Sequence, residues 1–178
     1  MLSNETALRL SAVAEDMDGL TRYDVLKRLV PQLRGHIVIC TLGFPSRELY
    51  ALFDQPTTFY MLGSMGLASS IGLGVALFTT RDVIVLEGDG SLLMNPNALF
   101  TIGQEAPDNL IIVCIDNHAY GSTGNQPTLA RTIHLPQLAE LCGVKNFIHI
   151  LAKPGNANVG VIPLSPHRIK QRFMASLH

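Results

Sequence analysis

Two apolar runs rich in β-branched residues constrain the fold of this chain more than any other feature. They span residues 81–87 and 110–116, and each has the length and composition of a strand buried on both faces. Residues 91–107 lie between them and are long enough for one crossover helix, so the two strands should be parallel in one sheet. The sequence therefore predicts an α/β fold, a doubly wound, mostly parallel sheet with helices on both faces.

Polar residues and glycines follow both strands. Asp89 comes after the first strand and Asn117 after the second, so both should emerge at the carboxyl edge of the sheet, where open α/β sheets bind ligands. A carboxylate and an amide oxygen suit Mg²⁺, which also binds phosphate oxygens. Gly88 and Gly90 are expected to permit a tight turn and close approach to a phosphate, with Ser91 capping a helix that faces the anion. Gly-Asp-Gly alone would fit an ordinary strand–turn–helix equally well.

The spacing of these residues is similar to that of a known family. Gly88-Asp89-Gly90-Ser91, followed 28 residues after Asp89 by Asn117, resembles the thiamine diphosphate signature of 2-oxo acid decarboxylases and their relatives. The resemblance implies Mg²⁺ held by the Asp89 carboxylate, the Asn117 side-chain oxygen and the main-chain carbonyl of Ala119. The loop after Asn117 is glycine-rich and polar, so we expect that it can close over the diphosphate. That loop contributes Tyr120, Gly121 and Ser122 to the predicted cofactor-binding residues.

A second segment supports the same interpretation. Residues 60–66 contain Gly63-Ser64-Met65 and precede a predicted helix of small residues at 67–78. In the resembled family, a segment of this kind carries the pyrimidine half of the cofactor. The Gly63 carbonyl would accept from the 4′-amino group, Ser64 would lie against the cofactor, and Met65 would hold it bent. Gly63 and Met65 are therefore the predicted catalytic residues, although a lone Met is more often core filler.

The resemblance extends over about residues 21–176 and is narrower than the general signature. Its motifs are similar to those of sulfopyruvate decarboxylase β subunits and lie at residues 41–50, 63–68, 88–95 and 116–126. It implies decarboxylation of a small anionic 2-oxo acid, sulfopyruvate, to sulfoacetaldehyde and CO₂, either on the route to coenzyme M or in degradation. Phosphonopyruvate decarboxylase shares much of the pattern. Parts of it also suit another thiamine diphosphate-dependent decarboxylase or carboligase, or a non-catalytic module that binds Mg²⁺ and a nucleotide.

The length of 178 residues suits one domain, assigned to residues 21–178 after an N-terminal extension at 1–20 that is short and helical or partly disordered. In the resembled family, a second domain binds the pyrimidine and supplies a glutamate. No glutamate here lies in a recognisable copy of that motif, and Glu87 suits a supporting role beside the diphosphate strand. The resemblance therefore implies a separate α subunit with the pyrimidine-binding domain, and hence a hetero-oligomer.

The composition excludes some partners. A net charge of −1 leaves no basic surface for nucleic acid. Residues 55–80 carry no charge, but Pro56 and several glycines and serines favour a buried or interfacial helix over a membrane span. Close helix–helix approach is the expected reason for Gly72-Leu73-Gly74. Three cysteines without C-x-x-C spacing, and no secretory signal, predict a cytoplasmic protein with reduced thiols.

The C-terminal third carries weaker patterns. Residues 117–133 are expected to form an irregular loop, and residues 160–164 a last strand. Ser165 and Pro166 are typical of a helix start, with Ile169 and Phe173 on its buried face.

Overall fold

The computed structural model describes residues 4–177, so the first three residues of the predicted N-terminal extension lie outside the described residues. The helices are α1 (Glu5–Ala14), α2 (Arg22–Leu33), α3 (Phe44–Leu52), α4 (Ala68–Ala76), α5 (Asp89–Met94), α6 (Asn97–Glu105), α7 (Leu135–Leu141) and α8 (Pro166–Ala175). The strands are β1 (Ile37–Cys40), β2 (Thr58–Tyr60), β3 (Val83–Gly88), β4 (Leu110–Asp116), β5 (Ala119–Tyr120), β6 (Gln126–Pro127) and β7 (Phe147–Leu151).

The main sheet has five strands in the order β2-β1-β3-β4-β7, and every neighbouring pair is parallel. The two strands predicted from the apolar runs are β3 and β4, which pair in register from Val83 opposite Leu110. Strand β2 lies on one side of β1 and β3 on the other, so the strand order reverses between β1 and β3. A crevice forms outside the carboxyl ends of the strands at such a point. The predicted fold class is confirmed.

Helices cover both faces of the sheet because each central strand is apolar on both faces. Alternate residues of β3 divide between two cores: Ile84 and Leu86 pack with α1, α2 and α3, while Val83 and Val85 pack with α4, α6 and α7. Period-two alternation of side chains is what allows one strand to serve two layers. The rigid double-layered sheet fixes the edge where Asp89 and Asn117 emerge.

The N-terminal extension is helical and belongs to the packed structure. Asn4 caps α1 by accepting from the backbone N–H groups of Thr6 and Ala7, and Leu10 is fully buried. Asp82, at the base of β3, accepts from the side chains of Asn4 and Thr6. These contacts hold α1 against the end of the sheet that lies opposite the crevice.

The crossover between β3 and β4 contains two helices, where the sequence predicted one. Helix α5 ends at Met94 and α6 begins at Asn97, because Pro96 has no N–H to continue the first helix. Ser91 does not cap α5 as expected. The helix begins at Asp89, with Gly88 as its N-cap residue, and Ser91 lies inside its first turns.

Two further expectations need correction. Residues 117–133 are more regular than predicted, since β5 and β6 form an antiparallel hairpin that leads into a short 3₁₀ turn at Leu129–Arg131. Residues 160–164 form no strand. The Arg47 guanidinium donates hydrogen bonds to the carbonyls of Val159 and Gly160, and Pro163 has no N–H to donate to a neighbouring strand. The helix start at Ser165 is confirmed, with Ile169 and Phe173 buried.

The uncharged stretch 55–80 includes α4, which packs on the sheet. An added Cβ at Gly72 would overlap the Val85 side chain, so the glycine serves helix–strand contact and the helix–helix explanation is wrong. Among residues 4–177, no helix has the length and apolar character needed to cross a membrane.

Candidate functional site

The predicted site residues converge on one pocket of about 90 Å³ at the carboxyl ends of β1, β3 and β4. All of the predicted cofactor-binding residues line it except Gly63 and Ser64; those present are Met65, Gly88, Asp89, Gly90, Ser91, Asn117, Ala119, Tyr120, Gly121 and Ser122. This is the edge where the strand order reverses. The two strand-end motifs, far apart in sequence, therefore form one site.

The segment 63–65 divides between two pockets. Met65 is half-buried and faces the pocket that contains Asp89. Gly63 and Ser64 are exposed and border a neighbouring apolar pocket of about 280 Å³, together with Leu62 and Leu67. Ser64 has a positive φ of 58°, an uncommon conformation for a residue with a side chain. The chain thus presents Gly63 and Ser64 outward, and Met65 inward.

Asp89 is buried at the first position of α5. Its carboxylate accepts a hydrogen bond from the Thr128 hydroxyl, which comes from the end of the β5–β6 hairpin. Burial raises the pKa of Asp89, and the nearby Asp116 carboxylate raises it further. A buried carboxylate in this state is a strong candidate for a cation, because a bound cation would offset both effects.

Asn117 is buried beside Asp89 and is incompletely bonded. Its Oδ1 accepts the backbone N–H of Ala119 at 3.2 Å, while its Nδ2 is buried without a hydrogen-bond partner in the described part of the chain. An unpartnered buried amide is costly, and here it lies in the wall of the pocket. The polar lining of the pocket therefore fits a bound polar ligand better than an apolar one.

Asp116 joins this cluster, although the sequence analysis did not single it out. Its Oδ2 lies 3.0 Å from Nε2 of His149, and its Oδ1 accepts the His118 backbone N–H at 2.9 Å. Burial opposes ionisation of Asp116, but these two hydrogen bonds and the nearby imidazoles lower its pKa overall. Potential ligand atoms of Asp89, Asp116 and His118 lie within 4.8 Å of one another. The position of Asp116 at the end of a buried strand, directly before Asn117, was the sequence signal that could have identified it as a site residue.

The glycines of the first motif act differently from the expectation. Gly88 has an extended backbone, with φ −108° and ψ 154°, so the predicted tight turn does not require it. Nothing lies within 4 Å of a Cβ added at Gly88, which leaves that side of the pocket open. At Gly90, an added Cβ would overlap the Tyr120 ring. Gly90 therefore admits the aromatic side chain of the second motif.

The opposite wall rests on a buried ion pair that the sequence analysis missed. Arg22 Nε donates to Glu48 Oε2 at 2.8 Å, and Arg22 Nη2 donates to Asn156 Oδ1 at 2.9 Å. Asn156 Nδ2 in turn donates to the Gly121 carbonyl at 2.7 Å, and the Glu48 carboxylate also accepts the Ala157 N–H. This network fixes the loop that carries Gly121. Its bonded pairs are separated by up to 134 residues, so no local pattern could reveal it.

Glu87 supports the floor of the site, as expected from its place on the diphosphate strand. Its Oε1 accepts the backbone N–H of Ser69 at 3.2 Å and the Ser69 hydroxyl at 3.0 Å. Burial raises the pKa of Glu87. One carboxyl oxygen is therefore tied to the start of α4, while Oε2 is buried without a hydrogen-bond partner in the described part of the chain, and Glu87 does not line the pocket.

Residues 44–154 match the family model described as "Thiamine pyrophosphate enzyme, C-terminal TPP binding domain". The chain is 47% identical to sulfopyruvate decarboxylase subunit beta of Methanothermobacter thermautotrophicus, over 87% of this chain and 94% of that one. It is 46% identical to sulfopyruvate decarboxylase of Methanosarcina acetivorans over 89% of its own length, but spans only 47% of that longer relative. Phosphonopyruvate decarboxylase of Streptomyces viridochromogenes is 38% identical over 87% of this chain and 46% of that one.

The fold has counterparts among solved structures. A putative thiamin diphosphate-dependent enzyme from Mycobacterium smegmatis superposes with a TM-score of 0.56 and 15% identity, over 77% of this chain and 33% of that one. At this identity the likeness shows the fold alone. The chain thus corresponds to about a third of that protein and about half of the Methanosarcina relative.

Proposed function

This chain belongs to the thiamine pyrophosphate enzymes, whose C-terminal TPP-binding domain it carries, and from that premise we propose that it is the β subunit of a sulfopyruvate decarboxylase. The reaction would release CO₂ from sulfopyruvate and leave sulfoacetaldehyde. The observation that carries the proposal is the meeting of Asp89, Asn117 and Met65 in one pocket. We assign the cofactor domain to residues 21–178, and a role on the route to coenzyme M is part of the proposal.

In this proposal, Mg²⁺ and the diphosphate are held at the carboxyl ends of β3 and β4. The Asp89 carboxylate, the Asn117 side-chain oxygen and the Ala119 carbonyl supply the oxygen ligands that Mg²⁺ prefers. The diphosphate lies against Gly88, Gly90, Ser91, Tyr120, Gly121 and Ser122.

Bound thiamine diphosphate would supply the electron sink for loss of CO₂, while the protein binds and orients it. Gly63 and Ser64 would contact the pyrimidine half and Met65 would keep the two halves bent toward each other. The exposed position of Gly63 and Ser64 supports these separate roles, because the pyrimidine half of the cofactor would then extend toward the surface of the chain.

The proposal includes an α subunit that completes the pocket. A volume of about 90 Å³ is well below the roughly 300–1,000 Å³ of pockets that enclose a whole small ligand. Of the two buried glutamates near the site, Glu48 is paired with Arg22, and Glu87 is bonded through Oε1 to Ser69 at the start of α4; neither lines the pocket. Neither is placed to serve the pyrimidine ring, so we assign that glutamate to the partner. The free cysteines Cys40, Cys114 and Cys142 fit the proposed cytoplasmic location.

We expect CO₂ release from sulfopyruvate only when this chain is co-expressed with a pyrimidine-domain subunit. The assay contains Mg²⁺ and thiamine diphosphate, and the chain alone and the partner alone are the controls. Turnover by this chain alone would refute the shared site. Preference for phosphonopyruvate in a competition assay would support the proposed decarboxylation but would show that sulfopyruvate is the wrong substrate.

Met65→Ala should lower kcat about 10-fold or more while cofactor and Mg²⁺ affinity change little, because the side chain orients the cofactor without touching the metal ligands. Met174→Ala, which removes an exposed Met on α8, is the matched control. Steady-state kinetics and calorimetric titration of Mg²⁺–thiamine diphosphate separate the two effects. An unchanged kcat would remove Met65 from the mechanism.

A further inference from the structure

One residue, Gly66, links the two cofactor-binding segments of the proposed site. Its backbone N–H donates to the Ser91 hydroxyl oxygen at 3.2 Å, and its carbonyl accepts from Asn95 Nδ2 at 3.1 Å. Ser91 lies within α5 and Asn95 is the C-cap residue of that helix, so the two side chains are one helical turn apart. Both polar groups of Gly66 are therefore held by the helix that begins at Asp89.

The contact is close enough to require glycine. Gly66 has φ +91°, and an added Cβ would lie 2.9 Å from Asn95 Cβ and 3.3 Å from the Ser91 carbonyl oxygen. Met65 and Gly66 are the two central residues of a tight turn, in which Leu67 donates its backbone N–H to the Ser64 carbonyl at 3.2 Å. Met65 therefore lies in a short turn whose next residue, Gly66, is bonded to α5.

We call the two bonds from Gly66 to Ser91 and Asn95 the clamp, and neighbouring hydrogen bonds fix the residues on both sides of it. The Thr41 hydroxyl, after β1, donates to the same Ser91 oxygen at 2.9 Å, which ties α5 to the first strand. On the other side of Gly66, Ser69 is held by Glu87 through its N–H and its hydroxyl. Helix α4 has no side-chain cap of its own at its start, so Glu87 of β3 serves there.

We propose that Ser91 and Asn95 are positioning residues that set Met65 at a fixed place relative to the metal ligand Asp89. The inference rests on the proposed function and extends it, because it assigns Asn95 a part in turnover and Ser91 a part other than cofactor contact. The two hydrogen bonds from Ser91 and Asn95 to Gly66 fix residues 63–65, proposed to lie beside the pyrimidine half, relative to helix α5. Neither side chain needs to touch the reacting atoms for this role.

The test compares Asn95→Ala and Asn95→Asp with the matched control Asn97→Ala, which changes an exposed Asn two residues away. Asn95→Asp preserves the side-chain volume and replaces the donating amide by an oxygen facing the Gly66 carbonyl. Three quantities are measured: amide hydrogen exchange at residues 64–69 of this chain, calorimetric affinity for Mg²⁺–thiamine diphosphate, and kcat of the co-expressed pair.

We expect both Asn95 variants to raise exchange at residues 64–69 about 10-fold and to lower kcat by about the same factor, with cofactor affinity within about 3-fold of the parent. Asn97→Ala should change none of the three. Faster exchange with an unchanged kcat would overturn the positioning role, as would a parallel loss of cofactor affinity.

Failure of the proposed function gives a different result. If the parent pair does not turn over sulfopyruvate, the assigned substrate is wrong, yet exchange and cofactor binding still test the clamp. Unchanged exchange at residues 64–69 in the Asn95 variants would then refute it. If exchange rises at 64–69 and not elsewhere, the clamp stands independently of the substrate.

Discussion

Asp89→Ala should weaken binding of Mg²⁺–thiamine diphosphate at least about 100-fold, the largest functional effect of any single substitution in the pocket. The reason is electrostatic. Asp89 is a buried carboxylate at the pocket wall, and in the proposed ligand set it is the one charged side chain. Without it, the proposed ligand set would offer a divalent cation only the neutral oxygens of Asn117 and Ala119. Calorimetric titration of the cofactor at saturating Mg²⁺ measures the effect.

The same substitution should leave the fold intact. Because burial raises the pKa of Asp89, ionisation of this carboxyl costs stability in the cofactor-free protein, and its removal offsets the loss of the hydrogen bond from Thr128. We therefore expect the unfolding temperature without cofactor to stay close to that of the parent. Asp18→Ala, at an exposed aspartate that does not line the pocket, is the control for both measurements. Retained Mg²⁺-dependent cofactor binding in Asp89→Ala would contradict the ligand assignment.

The sheet and the metal-binding edge could be predicted because their signals are local. Strand β4 is an unbroken apolar run, and the structure gives it the predicted bounds, Leu110–Asp116. Parallel pairing followed from the length of the connection between the strands. Once two strands are parallel neighbours, the residues after them must share an edge. Asp89 and Asn117 therefore came together without any knowledge of side-chain contacts.

The parts of the site that could not be predicted depend on contacts between distant residues. Gly90 suggested room for a phosphate, but the structure places the Tyr120 ring over it. Arg22 carries no local signal of a role in the site, because its role depends on Glu48 and Asn156. Residues 160–164 have the apolar content of a strand. The Gly160 carbonyl is held by Arg47 and Pro163 has no N–H, and no pattern within the segment reports the contact with Arg47.

Gly103→Ala has the largest expected effect on stability, and this effect also depends on a contact between residues that are distant in sequence. From helix propensity alone, replacing a glycine inside α6 by Ala should stabilise the protein by about 0.5–1 kcal/mol. In the structure, an added Cβ would overlap the carbonyl oxygen of Cys142, the C-cap residue of α7. That oxygen belongs to the backbone and cannot rotate away, so α6 and α7 must separate.

We expect Gly103→Ala to lower the free energy of unfolding by about 3 kcal/mol, a typical cost of severe overpacking. For a chain of this length, that corresponds to a fall of about 6–12 °C in the unfolding temperature. Gly74→Ala is the matched control, because Gly74 also lies inside a helix, α4, and nothing lies within 4 Å of an added Cβ there. It should show the gain of about 0.5–1 kcal/mol that propensity predicts.

The pair of variants separates local preference from tertiary contact. Calorimetry of both should give shifts of opposite sign, since the substitution is identical and only the surroundings of the new methyl group differ. Equal shifts would mean that α6 and α7 do not approach as closely as the structure places them. Because α6 follows directly on the helix that carries Asp89, a displaced α6 should also weaken cofactor binding in Gly103→Ala and leave it unchanged in Gly74→Ala.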